Sequence, residues 1–113
     1  MMMKVIVPLA TGFEEIEAST IIDILRRADI EVTTAGLDGK VAIEGAHGVK
    51  FVADAGLDEI KADDYDAIVL PGGGPGFTNL GNDERVLDLI REMYSMDKYV
   101  TAICGAPSVL SRS

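Results

Sequence analysis

Apolar positions along the chain come in two rhythms. Val5 to Leu9, Ala67 to Leu70 and Val100 to Ile103 are short unbroken apolar runs. Runs of that length are expected of strands covered on both faces. Ile30 to Ala35 predicts a further strand, with Ile30 and Val32 alternating with polar partners. Val41 to Ile43 and Val49 to Ala53 read as a small strand pair joined through Gly45 to Gly48. Between the strands the period changes. Phe13 to Ala28 predicts a helix with Glu14, Glu15 and Glu17 at its favourable dipole end. At about 100° per residue, Phe13, Ile21, Ile24, Leu25 and Ala28 form one stripe. Glu17 falls inside that stripe, and Glu15, Asp23 and Arg26 fall opposite. Asn82 is placed to cap a second helix, in which Val86, Leu89, Ile90 and Met93 recur at helical spacing. Residues 54–66 read as acidic and irregular, with one helical turn near Leu57. Apolar strands separated by amphipathic helices predict an α/β fold with a mainly parallel sheet. In such sheets, sites gather beyond the carboxyl ends of the strands.

The chain has 113 residues, enough for one domain. Its formal charge of −9 repels phosphate backbones and anionic membranes, which argues against nucleic-acid and membrane-surface partners. No stretch approaches the roughly 18 apolar residues of a membrane span, and the N-terminus lacks a signal-peptide pattern. One cysteine excludes an internal disulfide framework and a thiolate zinc site. A reducing cytoplasm is the expected setting. Asp58, Glu59, Asp63, Asp64 and Asp66 match no calcium loop, so no metal is expected.

Cys104 is the leading chemical candidate. It lies between an apolar strand and a new helical start at Ser108, with Ala102 and Ala106 two positions to either side. Small neighbours are the steric demand of a nucleophile elbow. The unpaired N–H groups of a following helix favour a thiolate there. An inert buried cysteine at a strand end has the same local pattern. Glu17 is the second candidate. A carboxylate on an apolar face must be paired or protonated, and a protonated Glu17 could donate to a neighbouring thiolate. The alternative role is capping of backbone groups. The run Pro71-Gly72-Gly73-Gly74-Pro75-Gly76 lacks the Gly-Lys-Ser/Thr of a phosphate loop and the dinucleotide spacing, and no helix is predicted to open from it. That leaves nucleotide cofactors unsupported. The N–H groups of Gly73 and Gly105 could form an oxyanion hole, and glycines tolerating positive φ would look the same. His47, the only histidine, falls in an exposed turn.

Three segments carry a family resemblance: Gly12-Phe13-Glu14-Glu15-Ile16-Glu17, Leu70-Pro71-Gly72-Gly73, and Ala102-Ile103-Cys104-Gly105-Ala106-Pro107. In this order and spacing, the chain from residue 4 onward resembles the ThiJ/PfpI superfamily, on the branch of the parkinsonism-associated protein deglycase. Arg26-Arg27-Ala28 and the Ala46-His47-Gly48 turn fit the same resemblance. It implies a flavodoxin-like sandwich, class I glutamine amidotransferase-like, with the elbow at Cys104. It assigns Cys104 as nucleophile or redox-sensitive thiol, Glu17 as the protonated acid touching it, and Gly73 and Gly105 as amide donors. It places Arg27 and His47 near the site, His47 on a turn that approaches from a dimer partner. The function implied is cofactor-independent action on a small reactive carbonyl of the methylglyoxal class, glyoxalase- or deglycase-like. The alternative is a non-catalytic redox sensor or chaperone-like homodimer in which Cys104 is oxidised to a sulfinate. Peptidase members resemble Cys-His-Gly at the elbow, whereas Gly105 follows Cys104 here, so a protease is not expected. The family is longer than 113 residues, which predicts that residues 1–113 form a single domain lacking its C-terminal part. A second polypeptide segment is expected to supply that part, with any downstream histidine.

Overall fold

The computed structural model describes residues 3–39 and 41–113. A five-stranded, wholly parallel sheet forms its centre. β1 (Lys4–Leu9) lies between β2 (Glu31–Gly36) and β6 (Ala67–Leu70). β5 (Ala55–Gly56) extends the β2 edge and β7 (Tyr99–Ala102) forms the opposite edge. The short antiparallel hairpin of β3 (Ala42–Glu44) and β4 (Lys50–Val52) stands apart from this sheet.

Successive side chains of β1 point to opposite faces, and each face builds its own core. Ile6, with Ile68 and Leu70 of β6, packs beneath α2 (Gly74–Gly81), α3 (Glu84–Ser95) and α4 (Pro107–Arg112), through Leu80, Val86, Ile90, Met93 and Val109. Val5, Val7 and Leu9 face the other way, onto α1 (Glu15–Arg27) and the hairpin, through Phe13, Ala18 and Ile43. The result is the three-layer sandwich that unbroken apolar strands require.

Five expectations are corrected. The glycine run does open a helix: α2 begins at Gly74, with Pro75 in its first turn and Gly73 as its N-terminal cap at φ 106°. Proline suits that position because its missing N–H has no helical partner there. α3 is capped by Asp83, whose carboxylate accepts from the Arg85 N–H, while Asn82 closes α2. Among the described residues β7 lies at the sheet edge, covered on one face, with Tyr99 and Thr101 exposed. The phase of α1 also differs. Phe13 is buried ahead of the helix, Ile24 and Ala28 are exposed, and Glu15 is buried beside Ala18. The hydrophobic stripe could not register the hairpin, which closes over Glu15 from outside the helix. In residues 54–66 there are two 3₁₀ turns, Leu57–Glu59 and Ala62–Asp64, where one was expected.

Candidate active site

Parallel register brings two distant loops side by side. Leu70 pairs with Ala102 across β6 and β7, so Gly72 and Cys104 each lie two residues beyond a register pair, at the carboxyl edge of the sheet. Cys104 has a φ of 56°. Asp29 and Asp97 share that left-handed conformation, but they follow helices and their short polar side chains tolerate it. A cysteine has no such compensation, and the conformation costs on the order of 1–3 kcal/mol. The strained turn lifts the sulfur out of the sheet, and Cys104 is exposed. Within the described residues the thiol is therefore not buried. Gly105 has to be small because the Phe77 ring packs on it: a Cβ there would lie 2.5 Å from Phe77 Cε2.

Glu17 meets Cys104 across Gly72. A Cβ on Gly72 would collide with Glu17 Oε1 and would lie 2.6 Å from Cys104 Cβ and 3.4 Å from its sulfur. The absent side chain is what lets the carboxyl and the thiol share one wall. Glu17 is half-buried rather than buried, and its Oε1 accepts from the Gly72 N–H at 2.9 Å. Among the described residues it makes no hydrogen bond to the sulfur; the carboxyl and the thiol approach each other over Gly72. On the other side of this loop, the Glu14 N–H donates to the Gly72 carbonyl at 2.9 Å, fixing the start of α1 to the end of β6. The N–H groups of Gly73 and Gly105 donate to no acceptor among the described residues. Gly105 follows Cys104 directly, and Gly73 follows Gly72, whose Cα faces Cys104.

The two remaining sequence candidates separate. Arg27 ends α1 and pairs with Asp23 at 3.0 Å within the same helix. Ten residues of helix, about 15 Å, separate it from Glu17. His47 is exposed but belongs to the rim. Its Nδ1 lies 3.0 Å from Glu15 Oε1 and 3.6 Å from Glu14 Oε2. Glu14, Glu15, Ile16, Glu17, His47 and Val49 line a cleft of about 520 Å³ beside the site.

Sequence reasoning missed Glu15. Burial alone would raise its pKa, but N–H donors from its own residue, His47 and Val49, and the His47 ring, outweigh that and lower it to about 2. His47 is correspondingly raised, first by its hydrogen bond to Glu15 and then by the charges of Glu14 and Glu15. Glu14, Glu15 and His47 are also a group close enough to hold a metal ion, with donor atoms within 4.8 Å of one another. The Glu15 oxygens already accept three hydrogen bonds, and the amide end of α1 repels a cation. The missed signal was Gly45: a Cβ there would lie 2.5 Å from the Glu15 carboxyl carbon.

No helix among the described residues is long and apolar enough to cross a membrane. The chain is 41% identical over 107 residues to protein dj-1beta of Drosophila melanogaster, covering 95% of this chain and 57% of that relative. It is 34% identical over 110 residues to deglycase TK1284 of Thermococcus kodakarensis, covering 96% of this chain and 64% of that protein. The crystal structure of Drosophila DJ-1beta superposes with a TM-score of 0.96 at 40% identity, over 99% of this chain and 60% of that one. The chain thus spans between about a quarter and two thirds of the length of the curated relatives it matches. The model of the DJ-1/PfpI family matches residues 3–113, and with an elbow cysteine, a glutamate and a glycine loop meeting at the sheet edge, the chain belongs to the DJ-1/PfpI family.

Proposed function

We propose that this protein converts small reactive carbonyls of the methylglyoxal class through Cys104. The observation that carries the reading is the strained, exposed Cys104 sharing the Gly72 wall with Glu17. The similarity to deglycase TK1284 supports a deglycase-like role. The thiolate adds to the aldehyde carbon, forming a C–S bond, and the carbonyl oxygen becomes an oxyanion held by the Gly73 and Gly105 amides. A proton taken from that carbon is returned to the adjacent ketone carbon, with Glu17 as the carrier. The aldehyde carbon is thereby oxidised to a thioester and the ketone reduced to an alcohol. Water cleaves the thioester, giving a hydroxy acid and the free thiol. No cofactor enters the balance. The test is steady-state turnover of methylglyoxal. Cys104→Ser should abolish it, and Gly72→Ala, which wedges Glu17 from Cys104, should lower it by about 10²-fold, the lower end of general acid–base effects. Turnover that survives Cys104→Ser would end this reading.

A redox role is the second reading, favoured by the exposure of Cys104 and by the similarity to oxidized Toxoplasma gondii DJ-1 at 34% identity and a TM-score of 0.92. Two equivalents of hydrogen peroxide would take the thiol through sulfenic to sulfinic acid, each reduced to water. Intact mass after peroxide treatment distinguishes it: a gain of two oxygens, with no methylglyoxal turnover before oxidation, favours the sensor.

A further inference from the structure

We infer that Glu15 is a positioning residue for the Cys104 site. Its carboxylate pins the turn of residues 45–49 to the start of α1 and fixes both the tautomer of His47 and the seat of Glu17. Oε2 accepts from the backbone N–H of His47 at 2.7 Å and of Val49 at 3.1 Å, while Oε1 faces His47 Nδ1 at 3.0 Å. Gly45 leaves the space that the carboxyl fills. Two further bonds tie the hairpin to the same stretch of chain: Ala46 N–H to the Phe13 carbonyl and Gly12 N–H to the Glu44 carbonyl, each 2.8 Å. The first turn of α1 is therefore held between the hairpin on one side and Gly72 on the other. Its Gly72 side carries the Glu14 N–H bond to the Gly72 carbonyl and the Gly72 N–H bond to Glu17. Freeing the hairpin side loosens the turn that presents Glu17 to the thiol.

The tautomer follows from the acceptor. A carboxylate oxygen can only accept, so neutral His47 keeps its proton on Nδ1 and turns a free Nε2 lone pair toward solvent. The groups that face His47 are Glu14 and Glu15 from α1, with Glu17 in the same cleft. On its own hairpin, Glu44 and Lys50 oppose each other at the base of the turn.

Glu15→Gln tests this with little change of shape. The Gln carbonyl can keep the two backbone bonds while its NH₂ faces Nδ1, which must then accept. His47 is the only histidine, so its imidazole nitrogen signals are unambiguous. The neutral ring should be protonated on Nδ1 in the wild type and on Nε2 in Glu15→Gln, and its titration should move down toward the ordinary imidazole range, with the charge of Glu14 keeping part of the rise. Alkylation of Cys104 by iodoacetamide, followed across pH, should change several-fold in the variant. Gly45→Ala attacks the same contact from the hairpin, and it should also release the tautomer and change the alkylation rate with the carboxylate still present. A wild-type ring protonated on Nε2, or an alkylation profile identical in all three proteins, overturns the inference. The consequence for catalysis rests on the function proposed above, but alkylation does not. If alkylation responds and methylglyoxal is not turned over, the positioning role stands and the carbonyl reading fails.

Discussion

A carboxylate can leave water only where donors replace it, and Glu15 shows how a single residue meets that demand with two backbone N–H groups and one ring. The pH dependence of the contact follows from its two partners. Glu15 falls from 4.5 to about 2 on folding. Its contribution to stability is therefore present above pH 4.5 and disappears as pH drops toward 2. His47 rises above 6.5 on folding. Its contribution is complete below pH 6.5 and is lost as pH climbs through the folded value. The stability difference between wild type and Glu15→Gln should thus be widest between pH 4.5 and 6.5 and should narrow on both sides. Urea midpoints measured across pH check this, because the titrations common to both proteins cancel in the difference. Curves that stay parallel from pH 3 to pH 9 would show that the pair contributes nothing pH-dependent.

At the scale of elements, legibility followed burial. β1 and β6 were readable because both faces of each are covered, which leaves an apolar run with no polar interruption. α3 was readable because Val86, Leu89, Ile90 and Met93 all enter the core beneath it. α2 was hidden: Gly74, Pro75 and Gly76 carry turn chemistry, and only Phe77 and Leu80 hint at a repeat. In the site, Cys104 and its turn could be read from small neighbours, and so could Glu17 as a carboxylate near the core. The role of Gly72 as their shared wall could not, because it depends on the register of β6 against β7. Neither could Glu15, whose donors come from more than 30 residues away. The cap of α3 yields a further prediction. Asp83 accepts from the Arg85 N–H at 2.9 Å and from its guanidinium at 2.7 Å, while Arg85 also reaches Asp58 and the Leu37 carbonyl. Asp83→Ala should lower unfolding stability by about 1–2 kcal/mol, the range for lost side-chain caps. The urea midpoint should fall with an unchanged slope. An unchanged midpoint would mean that Arg85, held by Asp58 and Leu37, anchors the helix start without the cap.

For the whole molecule, two groups of exposed apolar residues stand out besides Val41, Val49 and Val52 at the hairpin. One includes Ile16 and Ile24 on the outward side of α1, eight residues apart with Ser19 and Thr20 between them. The other includes Tyr94 and Met96 at the end of α3, with Tyr99 and Ile103 along the β7 edge. We propose that a second copy covers the first face and that additional polypeptide covers the second. The α1 face suits a twofold contact, since small residues between the two isoleucines let a helix approach its own copy closely, and a self-complementary patch closes a dimer without leaving a surface to propagate. The β7 face offers unpaired strand edge groups, which suit an added strand better than a helix. Native mass spectrometry of the purified protein reads both at once. A mass of twice the chain reports the dimer, and any excess per subunit reports the added polypeptide. Ile16→Asp should halve the mass, because it places two carboxylates opposite each other across the twofold axis, while leaving any excess per subunit in place. A wild-type protein that stays monomeric at tens of micromolar would refute the α1 interface, and a subunit with no excess mass that unfolds cooperatively would refute the cover on β7.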